Sequence, residues 1–217
     1  MNLMPALPES IFDIAYLGFA IISGILLLKK ACGRKEIALM GSAALVLGLG
    51  DAFHLIPRVL AYWSVSDFTA ALGIVTLITS ITMTVFYLLL EYVRLQRFHK
   101  GQKNHTTIAL WVLSMIRIIL CLLPQNAWTS EDAPLSWGIW RNIPFALIGI
   151  ITVVLWFMDA KNDRVFKFLY LAVLLSFAFY LPVVVLSDAI PLIGMLMLPK
   201  TVMYIWIICM FLKAQKE

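Results

Sequence analysis

The sequence predicts an all-α membrane protein: a single domain over residues 1–217, folded as a seven-transmembrane-helix bundle with its N-terminus outside and its C-terminus cytoplasmic. Three observations carry this expectation. The chain is 62% hydrophobic and only 13% charged, and its mean hydropathy of +0.94 lies outside the range of soluble globular domains. Its apolar residues fall in continuous runs of about 20, the length a helix needs to cross the hydrocarbon core, without the ten-residue alternation of a membrane barrel. The Lys and Arg residues collect in every second connection, as the retention of positive loops in the cytoplasm requires.

The first span is 11–29. No basic residue precedes it and Lys29, Lys30, Arg34 and Lys35 follow it, so it reads as an uncleaved helix and not a signal peptide. The second, 37–61, contains Gly48, Gly50 and Pro57. The third, 68–91, carries Thr69, Gly73, Thr76, Ser80, Thr84, Tyr87 and Glu91 at helical spacing. Such a small or polar face suits tight packing in lipid or the wall of a polar path, and places this helix at the centre of the bundle. A connection bearing Arg94, Arg97, Lys100 and Lys103 leads to the fourth span, 107–124. Spans 138–158, 165–187 and 190–212 complete the bundle, with Lys161, Arg164 and Lys167 between the fifth and sixth.

All but four of the 17 basic residues therefore lie in connections predicted to be cytoplasmic or in the C-terminal tail. The alternate connections hold acids, among them Asp67, Glu131, Asp132 and Asp188. Trp63, Trp128, Trp137 and Trp140 gather at the same outer ends, where an amphipathic ring suits the headgroup layer. The net charge of +5 is thus a topology signal, and no nucleic-acid partner is expected. Cys32, Cys121 and Cys209 are far apart, which argues against a disulfide or a thiolate metal site. Neither a Walker motif nor a GxSxG elbow is present, so nucleotide-driven transport by this chain and serine-hydrolase chemistry have no support. No metal and no cofactor is expected; the bilayer is the expected surrounding, in a bacterial plasma membrane.

The four remaining cations, Arg58, Arg117, Arg141 and Lys200, fall within or at the edge of spans. An ionisable group at membrane depth costs roughly 2.5–3.5 kcal/mol on insertion scales, so it normally faces the bundle interior, a partner or water. At 1.5 Å per residue, Lys200 lies near the midplane and Arg117 in the outer half, with Arg58 and Arg141 toward the outer boundary. In the second helix Asp51, His54 and Arg58 are spaced i, i+3 and i+7 and share a face. Asp51 is a candidate partner for Lys200, and Asp51 with His54 a candidate acid/base pair. Tyr204 stands one turn beyond Lys200, and Tyr180 belongs to an aromatic stretch of the sixth helix.

The segment Gly48-Leu-Gly-Asp-Ala-Phe-His54 resembles the glycine-rich Ser-and-His segment of the alkaline ceramidase and progestin-receptor-like membrane hydrolases. That resemblance implies a zinc held by three histidines. Here the seventh helix has no histidine, and His99 and His105 fall in a connection on the cytoplasmic side. The chain is also similar to the microbial rhodopsins in size, helix count and the placing of Lys200, which implies a Schiff-base chromophore. Leu196 stands where that family has a carboxylate, and the third helix lacks a mid-span acid.

The interior cations outnumber the single interior acid Asp51, since Asp13 is expected to reach only the outer rim. An anion supplied from outside completes such a site. The expected function is therefore a transporter or sensor that binds a small anionic or amphipathic, lipid-headgroup-like ligand. The expected pocket faces outward among helices two, four, five and seven, and draws on Asp51, His54, Arg58, Arg117, Arg141, Tyr180, Lys200 and Tyr204. The alternatives are an intramembrane hydrolase using Asp51 and His54 on a lipid-like substrate, and a chromophore protein using Lys200.

Overall fold

The computed structural model describes residues 6–63, 69–100, 102, 104–130, 134–186 and 190–217; side chains at 6–8, 54, 56–63, 69–72 and 191 stand outside that description. Seven helices are long and apolar enough to cross a membrane, and among the described residues there is no strand. They are α1 (Ala6–Lys30), α2 (Lys35–Trp63), α3 (Thr69–Phe98), α4 (His105–Leu122), α5 (Leu135–Ala160), α6 (Leu169–Leu186) and α7 (Met197–Ala214). Each packs on the next in sequence, α7 closes back onto α1, and α2 also touches α7. The third helix meets α2, α4 and α5, and α2, α5 and α7 each meet three helices as well, so the central place expected of α3 is shared among these four.

The glycines of α2 are used for close helix approach. A Cβ on Gly50 would run into Thr82 of α3, and one on Gly48 would stand 3.0 Å from the Cβ of Ala20 on α1. The backbone approach continues as a hydrogen bond from Thr79 Oγ1 to the Gly50 carbonyl at 3.2 Å. Small residues let helices approach in lipid, where there is no hydrophobic force between them to compensate for poor packing.

Several ends differ from the sequence expectation. The last span, expected from residue 190, opens with a 3₁₀ turn at Pro191–Leu196, and its α-helix starts at Met197. Pro191 has no N–H to donate, which suits the first position of such a turn. The sixth helix starts at Leu169, not 165, because Asp163 holds the preceding turn: its Oδ1 accepts the backbone N–H groups of Val165 and Phe166, both at 2.8 Å. The fourth ends at Leu122, where Pro124 begins a 3₁₀ turn.

The largest correction concerns α3, which continues to Phe98, well past residue 91. Arg94 and Arg97, expected in a loop, are helical, and Arg94 is only 1% exposed. Its Nε and Nη2 form a two-point pair with Glu91 at 2.7 and 2.8 Å, and its Nη1 pairs with Asp159 of α5. Thr107 of α4 donates to Glu91 at 2.8 Å, and the His99 ring lies 2.6 Å from Asp159. Beside this network, Arg97 reaches Asp163 at 3.0 Å, Glu36 at 3.4 Å and Glu217 at 2.6 Å. The end of the bundle that holds Lys29 and Lys213 is thus fastened by charge, and the opposite end is where the interior cations lie.

Burial alone would push the Asp163 carboxyl up, but the Phe166 and Val165 amides and the Arg97 guanidinium outweigh it and hold the group below the usual carboxylate range. A depressed carboxyl contributes stability that is present at neutral pH and is lost as pH falls through its folded value. Asp163→Ala should lower stability by about 0.5–2 kcal/mol, the cost of losing a cap. It should also flatten the acid limb of stability plotted against pH below about pH 4. Unfolding of the purified protein in mild detergent followed against pH reads both effects; an unchanged acid limb would remove Asp163 from this role.

Candidate functional site

The site rests on the buried stripe of α4. Thr107, Leu110, Ser114, Arg117 and Cys121 are its buried residues, at spacings of three and four that define one face. Ile108, Val112, Met115 and Ile119 are exposed on the other. The stripe that points Leu110 into the core therefore points Arg117 there as well, and Arg117 is 2% exposed. Its guanidinium carbon lies 3.3 Å from the centroid of the Phe145 ring on α5. Cation–π contact of this kind favours a desolvated cation. Nε and Nη1 have no hydrogen-bond partner.

Lys200 approaches from α7, one residue after Pro199, and is 8% exposed. Its Nζ lies 4.8 Å from the Tyr180 ring and 5.4 Å from the Tyr204 ring. Both cations border one cavity of about 80 Å³, walled further by Thr79 and Ser80 of α3, Phe145 of α5 and Tyr180 of α6. A single water needs roughly 10–15 Å³ of such space, so the cavity has room for a carboxylate or phosphate group and not for a nucleotide. Among the described residues, no carboxylate forms an ion pair with Arg117 or Lys200.

The structure redistributes the predicted site residues. Arg117, Tyr180 and Lys200 share the cavity; among the described residues none from α2 lines it, and residues of α3 and α6 do. Asp51 is buried, and it accepts a hydrogen bond from Tyr16 of α1 at 2.6 Å. It interacts with Lys200 through charge across the helix interface without a direct ion pair. Tyr204 is buried in edge contact with Phe86 at 5.9 Å.

Arg141 turns away from the cavity: it donates to Asn126 Oδ1 at 3.0 Å and covers the Trp128 ring at 4.3 Å. Asn126 in turn donates to the carbonyls of Leu120 and Leu123, closing the end of α4. Asp13 is buried and lies within coulombic reach of Tyr16. The side chains of His54 and Arg58, and residues Asp67, Glu131, Asp132 and Asp188, lie outside the described residues.

Sequence reasoning passed over Phe145 and Thr79 as lining residues, and Asn142, which accepts the Tyr180 hydroxyl at 2.8 Å and so fixes that ring beside Lys200. A signal for Asn142 exists: it is an amide inside an apolar span, a costly position unless the amide is hydrogen-bonded. Comparison of the chain with protein-family models, curated proteins and solved structures finds no match.

Proposed function

We propose that this is a polytopic membrane protein that binds a small anion in the cavity between α3, α4, α5, α6 and α7, as a transporter or sensor. The observation that carries the reading is the pair of buried cations on one cavity, with two guanidinium nitrogens of Arg117 unpartnered. Uncompensated buried charge is costly. A carboxylate or phosphate entering the cavity supplies charge-assisted hydrogen bonds at those nitrogens, shorter and stronger than neutral ones. In this reading the basic end of the bundle is cytoplasmic and the cavity lies toward the outside.

Inorganic phosphate and acetate should raise the thermal unfolding temperature of the purified protein. Lys200→Gln should weaken that response by ~10-fold or more in midpoint concentration, as the loss of one charge-assisted bond implies. Arg141→Gln should leave it nearly unchanged, because Arg141 serves Asn126 and Trp128. If no anion, these two or their long-chain counterparts, stabilises the wild-type protein, the anion-binding reading fails.

Orientation is read separately in a cysteine-free background. Val65→Cys and Ser130→Cys should react with impermeant thiol reagents on intact cells, while Gly101→Cys and Asn162→Cys should not. The reverse pattern would place the cavity toward the cytoplasm.

A further inference from the structure

A second cavity lies against the first on the seam of α5 and α6. It holds about 270 Å³ and is lined wholly by Gly, Ala and apolar side chains, among them Gly149, Val153, Leu174, Phe177 and Ala178. The same two helices line both spaces: Phe145 and Tyr180 face the cation cavity, and Ala146 and Leu181, the next residues along, line the apolar one. What separates them is a pair of rings, Phe145 and Phe177, with centroids 4.9 Å apart. The Phe177 ring rests where a Cβ would stand on Gly149, so the absent side chain is what lets the ring fold into the seam. From Phe145 to Val154 the seam runs about 13 Å along α5, and along it Ile150, Val154 and Leu174 are exposed on the outer surface.

A cavity with two cations and, across the Phe145–Phe177 ring pair, an apolar groove matches an anionic head carrying one alkyl chain. From this we infer that the ligand is a single-chain amphiphile, a carboxylate or phosphate monoester. Its head lies between Arg117 and Lys200 and its chain lies in the α5–α6 groove past Phe177. The inference rests on the anion-binding reading above and adds the chain to it. A free inorganic anion uses only the head cavity and has no use for the groove. The head binds through charge-assisted hydrogen bonds, and the alkyl chain by leaving water for the apolar walls of the groove.

The test compares decyl phosphate with inorganic phosphate, and decanoate with acetate, by thermal shift of the intact protein in one nonionic detergent. Wild-type protein should respond to at least one long-chain anion at a concentration ~10-fold or more below its short counterpart. Ala178→Phe and Val154→Trp place bulk in the groove from its exposed side. They should abolish that advantage while leaving the short-anion response intact, which also shows that the variants are folded. Because partition into the micelle is the same for every variant, it cannot produce the difference between wild type and the filled groove.

A normal short-anion response with no chain-length advantage, or an advantage that survives both groove variants, would overturn the amphiphile inference and leave the anion reading standing. If no anion, short or long, shifts unfolding, both fall. The alcohol decanol carries the chain without the charge, and stabilisation by decanol equal to that by decanoate would also overturn the inference.

Discussion

Arg117→Met should yield a protein that is more stable without ligand, by about 1–3 kcal/mol, and that no longer responds to anions. Both halves come from the same geometry. In the unliganded protein the guanidinium is buried with Nε and Nη1 unpartnered, a desolvation cost that effective penalties for buried ions place at several kcal/mol. Its contact with the Phe145 ring returns about 2 kcal/mol of that when desolvated. Methionine fills similar space, packs against the same ring and carries no charge, so the cost disappears. Gain of stability with loss of binding is the signature of a residue retained for function. Equilibrium unfolding with and without inorganic phosphate measures both; a variant that is less stable and still responds to phosphate would mark Arg117 as a structural cation.

Arg94→Met should have the opposite sign and a larger size, a loss of about 3–5 kcal/mol. Removing one partner of a buried ion pair leaves the others charged and unpaired. Here those are Glu91, 2% exposed, and Asp159, which share the single guanidinium between α3 and α5. The triple variant Arg94→Met, Glu91→Gln, Asp159→Asn should recover more than half of the loss, because contacting charges are strongly non-additive. Unfolding in a denaturing detergent series reads the stabilities of the wild type, the three single variants and the triple variant. Simple additivity would show that the three residues do not act as one unit.

The seven helices were legible because long apolar helices write themselves in composition: each is a continuous apolar run, and each connection at one end carries Lys or Arg. The Arg94 network was hidden by that same signal. Glu91, Arg94 and Arg97 look like the start of a basic loop, yet no Gly or Pro occurs between residues 74 and 100. Val93 and Leu95 keep the helix packed, and both are fully buried. Of the candidate site, Arg117 and Lys200 were legible as charges at membrane depth. Their shared cavity was not, because which helix stands beside which depends on packing that one sequence does not display. Asp51 shows the limit well: its pairing with Tyr16 joins residues 35 positions apart on neighbouring helices, and neither position marks the other.

The hydroxyls of α3 give the cavity a polarity of their own. Ser80 donates its proton to the Thr76 carbonyl at 2.8 Å, and Thr79 has its single proton between two backbone carbonyls, that of Val75 at 2.9 Å and that of Gly50 on α2 at 3.2 Å. Each hydroxyl has one proton to give, and both are spent on backbone carbonyls, so Ser80 and Thr79 offer the cavity lone pairs. The opposite wall, with Arg117 and Lys200, offers only N–H groups. A visitor that uses both walls is an acceptor toward Arg117 and Lys200 and a donor toward Ser80 and Thr79. Dihydrogen phosphate and its monoesters meet both demands with their own atoms, a carboxylate does so only with a water at its side, and chloride or nitrate has nothing to give to the second wall. The site's ranking of anions is set as much by where their hydrogens are as by their charge.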